Sequence, residues 1–427
     1  MSALRLTALI AATVGLALSA SAQSLAIVGG KVWTGTSQGT LENGTVIIAD
    51  GQVVSVGPAS AATVPAGALV VDAKGKWVTP GFISAFSRTG MVEVDAEEST
   101  DDTSASSSDY SVALDAADGF NPDATAIDVT RIEGITRIVV APEASSNLFA
   151  GQGFITDTSG AVDSDIIRGA FLLVSLGERG ASLAGGSRSA AWAQLRAALD
   201  DAASYPARYI ASNDGTALNR VDAGALRAAA TGDELILIEA QKATDLLAIM
   251  EFARQNPALR IAIVGADEGW RVAPQLAAAG IPVIVDAFSN LPASFEQLAA
   301  TSENAARLVD AGVKVAIVNL GDNSHQARLA IQVAGNAVAN GMSHEDAMRA
   351  LTTVPAGIFG MQGLGVIGPG ARADVVVWDG DPLEITTSPD DVLIDGVIQS
   401  KETRQTELRD RYLKLDEHNR PLAYVKP

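Results

Sequence analysis

The stretch "WVTPGFISAFSRTG", Trp77–Gly90, decides how this chain is read. An apolar run enters Pro80-Gly81, continues through Phe82-Ile83, and ends in Ser84, Ala85, Phe86, Ser87 and Arg88. It has the frame of a barrel's first strand, and no histidine occurs in it. The segments on either side must show whether a barrel follows, and what chemistry it carries without one.

Upstream, residues 25–80 have a β pattern. "LAIVGGKVW", "GTVIIADGQVVSVG" and "LVVDAKGKWVT" are Val- and Ile-rich runs broken by Gly, Asn and Asp, and Asp50-Gly51 is a strong hairpin signal. The string "IVGG" (27–30) invites comparison with the start of a trypsin-like protease. All three histidines lie after residue 320 and no Gly-Asp-Ser-Gly-Gly occurs, so it is read as strand and turn. Downstream, from Pro80 to about Ala356, strands alternate with Ala-rich helices. Candidate strands are 137–142, 170–175, 234–240, 260–266, 281–286 and 313–320, with a fourth barrel strand expected between 176 and 233. Continuous apolar strands alternating with helices predict a parallel sheet covered by helices, and a region of this length suits a (β/α)₈ barrel. After "TTVPAGIFG", β signals return in "ARADVVVWDGDPLE" and "DVLIDGVI", a block too small to stand alone but able to complete the N-terminal one.

The expected fold class is therefore α/β, a (β/α)₈ TIM-like barrel plus a composite β-sandwich domain built from both chain ends. Its parts are an N-terminal β segment (23–80), the barrel (81–356), a C-terminal β segment (357–400) and a charged tail (401–427). Residues 1–22 read as a signal peptide: Arg5, the apolar run "LTALIAATVGLAL", then Ala20-Ser21-Ala22, with Gln23 as the new N-terminus. A membrane anchor is the alternative, but the run is short for a bilayer. An exported, periplasmic location is expected.

Composition excludes several functions. With no cysteine there is no thiolate nucleophile, Cys-held metal or disulfide. A net charge of −20 argues against nucleic acid and anionic membrane surfaces. A small-molecule substrate or ligand, or a protein partner such as a second copy or a homologous subunit, remains. Residues 91–123 hold ten acidic residues and no Lys or Arg, and read as a cation site, a lid, or a solvated and partly mobile loop. The one Gly-x-Ser-x-Gly string, "GTSQG" (35–39), has no helix after it and is read as a loop.

Several motifs resemble the amidohydrolase superfamily, in particular its exported imidazolonepropionase-like branch. "VTPGFISAF" is similar to its first-strand motif, "GADEGWRVAPQLAAAGIPVIV" to its sixth and seventh strands, and "HEDAMRALTTVPAGIFGMQGLGVIGPGARADVVVWDGDPLE" to its closing signature. "RQTELRDRYL" resembles the ending of the exported members. The resemblance implies hydrolysis of non-peptide carbon–nitrogen bonds. It also implies one or two divalent metals held by His on strands one, five and six, often a carboxylated Lys on the fourth, and Asp on the eighth. At the corresponding positions stand Phe86 and Arg88, Glu239, a residue near Gly265, and either Asn319 or Asp322. The barrel's only lysines, Lys242 and Lys314, are poorly placed for carboxylation. No metal ligand or cofactor is therefore assigned, and the metal-dependent mechanism is in doubt.

"GDNSHQAR" (321–328) resembles the exported members' eighth-strand loop, so Asp322 and His325 are expected as an orienting carboxylate and a general base. The alternative is that Asp322 caps the helix behind it. Glu239 completes the expected catalytic set. Arg88, Asp267 and Glu268 are expected to contact substrate, and the carboxylates together could hold Ca²⁺ or Mg²⁺. His344 reads as a surface residue at a helix start and His418 lies in the tail. Two readings of function stay open, a hydrolase with altered or lost metal chemistry and a catalytically inactive barrel that binds a ligand or partners an active homologue. Glycoside hydrolysis by two carboxyls is a minor third.

Overall fold

The computed structural model describes residues 24–413. The signal-peptide reading and His418 lie outside the described residues. The N-terminal β segment forms β1 (Leu25–Trp33), β2 (Thr40–Ala49), β3 (Gln52–Pro58), β4 (Leu69–Asp72) and β5 (Trp77–Pro80). Asp50 and Gly51 turn the hairpin between β2 and β3 with φ of 53° and 73°, the left-handed pair that such a two-residue turn requires.

Eight strands then make the barrel sheet: β6 (Phe82–Ser87), β7 (Ile135–Val140), β8 (Phe149–Asp157), β9 (Ile167–Ser175), β10 (Leu235–Ala240), β11 (Arg260–Gly265), β12 (Val283–Val285) and β13 (Val315–Ile317). They pair in chain order from β6 to β13, and the sheet is nearly closed. The end of β6 meets the loop after β13 through Arg88 N–H donating to Asn323 O at 2.8 Å. Two expectations need correction. The missing strand is β8, not a segment between 176 and 233, which is helical over Gly177–Leu183, Arg188–Ala203, Arg220–Ala225 and Arg227–Thr231. And β8 runs antiparallel to both β7 and β9, so the barrel is not uniformly parallel. Its "GQG" hides it as a loop in the sequence, yet Gly153 is a packing requirement: a Cβ there would lie 2.1 Å from the Phe171 ring.

Inside the barrel, alternate residues such as Ile83, Val139, Phe171, Leu173, Leu235, Leu237, Val264 and Ile284 form one apolar core. The intervening residues, among them Ile138, Leu172, Val174, Ile236 and Ile238, pack outward against the helices. Burial on both faces explains the continuous apolar runs.

Both chain ends share one sheet. β14 (Val375–Trp378) pairs antiparallel with β5 and with β15 (Pro389–Ile394), and β16 (Val397–Ile398) closes that edge. β1 pairs with β4 through its first half and with β5 through its second, which folds the sheet over its own core of Ile27, Val46, Val78 and Val375. The barrel meets this sheet at Arg137, which points inward at the N-terminal end of β7. Its guanidinium, 3% exposed, reaches Asp374 (2.6 Å), Asp395 (3.2 Å) and Asp157 (3.6 Å).

Removing a buried cation from three carboxylates leaves uncompensated charge. Arg137→Ala is expected to destabilise the fold by about 3–5 kcal/mol, read from the denaturant midpoint. Glu234, just before β10, is 7% exposed with Oε1 lacking a hydrogen-bond partner, and burial pushes its pKa up to about 7. The folded state thus holds a proton that the unfolded state releases near its ordinary carboxylate value, so this residue's contribution falls as pH rises through that interval. Glu234→Gln is expected to be more stable than the parent at pH 8 by roughly 2–3 kcal/mol and to match it near pH 4, read from thermal or denaturant unfolding at both pH values.

Candidate functional site

The inward alternation of the core carries on to the C-terminal end of the barrel. It brings Ser175 after Phe171 and Leu173, Glu239 after Leu235 and Leu237, and Asp286 after Ile284 to the axis. Glu239 lies in register with Ser175 on one side and Val264 on the other. Ser175 Oγ donates to Glu239 Oε2. Ser175 is buried whereas Glu239 is partly exposed, so the carboxylate faces the mouth and the hydroxyl orients it from behind.

β11 leaves the sheet through a strained turn, Gly265 at φ 101° and Ala266 at φ 50°. A Cβ at position 265 would lie 2.2 Å from both polar atoms of the Gln241 amide. Glycine is required there by backbone and by space, and the Gln241 side chain fills what a larger residue would occupy. The turn drops Asp267 into the mouth, 4% exposed, with Gln297 Nε2 donating to it. Burial holds its carboxyl above the ordinary carboxylate range; the bonds from Gln297 and Ser289 oppose this, and the charges of Asp286 and Glu268 add to it.

Glu268, expected beside Asp267 as a substrate contact, has both oxygens engaged elsewhere. It accepts from Ala243 N (3.1 Å), Ala299 N (3.1 Å) and Arg271 Nη1 (3.0 Å). The first of these bonds satisfies an otherwise unpaired N–H at the start of the helix Ala243–Gln255, so Glu268 is a tether.

The segment after β12 forms a strap over this end of the barrel. Asp286 takes Leu320 N and Phe288 N, both at 2.9 Å. Farther along, Glu296 takes Glu178 N at 2.8 Å, Gln297 binds Asp267, and Ala299 O accepts from Trp270 Nε1 at 2.8 Å. The polar side chains face the barrel loops, while Phe288, Leu291, Phe295 and Leu298 stand out to solvent.

Arg88 lies at the rim. Its Nη1 is 3.4 Å from Glu143 Oε2 and donates to Asn323 Oδ1 at 3.4 Å, so its acidic partner is Glu143. A polar recess of about 290 Å³ opens between this guanidinium and the acidic loop, with Asp95, Glu97 and Asp101 on the far wall. The second half of that loop is tied to the rest of the protein: Asp222 accepts from Ser111 N and Ala113 N, Arg168 bridges Asp115 and Asp118, and Phe120 packs on Phe154. Phe86 is buried in the barrel core.

The expected Asp322–His325 dyad is not formed. Asp322 Oδ1 accepts from His325 N (3.1 Å) and Ser324 Oγ (3.2 Å), which makes it a backbone cap. The imidazole Nδ1 instead meets Ser324 Oγ at 3.1 Å and Asp95 Oδ1 at 3.7 Å. Asn319 is likewise occupied, donating to Asp322 O and Gln326 O. His344 follows its Ser343 cap, as read, and its ring bonds Asp381 at 2.9 Å. Of the expected site residues, then, Glu239 and Asp267 reach the mouth, Arg88 its rim, and Asp322, His325 and Glu268 lie on loop-holding contacts. Among the described residues no group of three or more His, Asp, Glu or Cys side chains could hold a metal ion, so the expected carboxylate cation site is not assembled. Sequence reasoning missed Ser175, Gln241, Asp286 and Gln297. Counting the strand alternation two residues further would have found Ser175 and Asp286; Gln241 and Gln297 come from loop paths that carry no sequence period.

Residues 234–403 match the Amidohydrolase family. The chain is 25% identical over 391 residues to amidohydrolase tasK of Hapsidospora irregularis, an alignment covering 83% of this chain. It spans only 40% of that protein's length. Among solved structures it resembles an amidohydrolase from Thermotoga maritima MSB8, with TM-score 0.77 and 25% identity, covering 88% of this chain and all of the other. It also resembles in fold a mutant atrazine chlorohydrolase TrzN from Arthrobacter aurescens TC1 complexed with zinc and atraton (TM-score 0.54, 16% identity, 90% and 98% coverage). Over residues 234–403 the chain carries the Amidohydrolase family match, and along most of its length it resembles amidohydrolases in sequence and fold.

Proposed function

We propose that this chain is a hydrolase of non-peptide carbon–nitrogen bonds in small molecules, and that its mouth works through carboxylates in place of a histidine-held metal. The observation that carries the reading is Glu239. It is the inward carboxylate at the barrel mouth that is partly exposed and tethered by a hydroxyl, not by backbone N–H groups.

A divalent ion of the kind the superfamily resemblance implies does not fit these residues. Phe86 has no donor atom and is packed in the core. Arg88 brings a positive charge to the rim. Gly265 has no side chain, and Gln241 fills the space one would need. No step therefore runs through a metal. Glu239, oriented by Ser175, takes a proton from the attacking water, and Asp267, whose burial favours its protonated form, returns one to the departing nitrogen. Arg88 and the recess beside it bind the polar end of the substrate.

A second reading is favoured by the strap, whose Gln297 already occupies Asp267. In that reading the barrel is catalytically silent, and binds a ligand or pairs with another copy or an active homologue. One experiment separates the two. A panel of lactams, ureas and cyclic amides is screened with the mature protein, with and without a strong chelator. Hydrolysis is expected to be indifferent to the chelator, to fall at least about 10²-fold in Glu239→Gln, and to persist in Asp322→Asn and His325→Ala. Turnover that survives Glu239→Gln or vanishes with the chelator would overturn the carboxylate mechanism; no turnover on any member leaves the silent barrel.

The proposal places the protein outside the cytoplasm, on the strength of the leader-like residues 1–22. Among the described residues no helix is long and apolar enough to cross a membrane. Mass spectrometry of the protein recovered from its source is expected to find Gln23 as the first residue. An N-terminus at Met1 or Ser2 would refute cleavage.

A further inference from the structure

At the opposite end of the barrel from the mouth, a recess of about 910 Å³ opens beneath the first residues of the strands. Its floor is apolar: Leu235, Ile261 and Ile281 are 4%, 7% and 5% exposed. Met250 from the helix Ala243–Gln255 and Ile358 from the helix Thr353–Phe359 add apolar walls. The charges at its edge are predominantly positive. Arg260 opens β11 and Lys314 stands just before β13. The β12 register, Ile263 beside Val283 and Val283 beside Val315, sets these two cations on either side of one strand start.

Both cations are exposed, and neither has a hydrogen-bond or ion-pair partner among the described residues. The third cation of the rim, Arg254, is already neutralised by Glu251, at 2.8 and 2.6 Å. Glu251 also accepts from Gln255 at 2.6 Å, so the recess's one carboxylate is engaged. In a chain of net charge −20, two unneutralised cations over an apolar floor are a local reversal of the molecule's field. The volume lies in the range of small-molecule sites, and the combination of an apolar bed with a few charged groups on one side is their usual chemistry.

We propose that this recess binds an amphipathic carboxylate, an alkyl chain lying on Leu235, Ile261 and Ile281 with its carboxylate between Arg260 and Lys314. The site is remote from Glu239 and independent of what the mouth does. Nothing in its lining offers the mouth's acid–base chemistry, so it is a binding site and not a second centre of reaction.

The test titrates the full protein with decanoate by calorimetry, and with decanol as the uncharged match. Decanoate is expected to bind saturably at one site per chain, and decanol at least tenfold more weakly, a difference of ~1.4 kcal/mol. The double variant Arg260→Gln, Lys314→Gln alters only exposed side chains; it is expected to bind decanoate at least tenfold more weakly and decanol as before. Leu247→Glu, which adds a carboxylate to the exposed rim, is expected to weaken decanoate in the same direction. Circular dichroism checks that each variant folds. No saturable binding of decanoate, equal binding of decanol, or full affinity in the double variant would each overturn the proposal.

Discussion

The structure depends on one buried cation. Arg137 sits where barrel and composite sheet meet, and its fork joins a carboxylate of β8 to two carboxylates that arrive from the far end of the chain. Such a cluster has little net favourable energy of its own, because desolvating the charges offsets much of their attraction. Its effect is on specificity: any arrangement that fails to bring Asp374 and Asp395 to the base of β7 leaves a guanidinium buried alone. The adjoining contacts share this geometry. Gly81 N donates to Asp374 O at 2.8 Å, Trp378 packs on Phe82, and Gly134 has no side chain because that indole covers it. The return of the chain to β14 is thereby locked to the start of the barrel.

From that fixed base the strands run outward, and the alternation that fills the barrel also selects what stands at its mouth. The mouth follows a consistent electrostatic pattern. It gathers Glu239, Asp267 and Asp286 with few cations facing them, and manages the repulsion by burial, by the amide donor of Gln297, and by backbone N–H groups. The cation that sequence position brings to the first strand, Arg88, turns to the rim, where it shares Glu143 with Arg179. The interior polarity of the mouth is built from carboxylates and amides. The opposite end of the barrel has the reverse polarity, with Arg260 and Lys314 over an apolar floor.

Much of this was legible in the residue pattern. The hairpin at Asp50-Gly51, the Val- and Ile-rich strands and the return of β signal after residue 370 follow from local propensity and period, and the C-terminal block, too small to stand alone, was expected to complete the N-terminal one, as the pairing of β5 with β14 does. Glu239 was singled out because it stands where the resemblance places a fifth-strand metal ligand. β8 was missed because its glycines read as a loop, and their reason, contact with Phe171, lies outside the segment. Asp322 was misassigned because a carboxylate three residues before a histidine fits two arrangements. The cap prevailed since the backbone N–H of His325 is nearer than its ring and must be satisfied.

By itself, then, the sequence determined most of the strands and helices and that the C-terminal β block can complete the N-terminal one, because these depend on neighbours a few residues away and on the period of the backbone. Only the tertiary structure decided the antiparallel course of β8, the partner of Arg88, the placement of Gln241 over Gly265, and the pinning of the strap by Glu296 and Gln297. Each of these is a contact between segments far apart in the chain, chosen by shape and charge after the barrel has brought them together, and no local rule fixes which of several polar groups will be nearest.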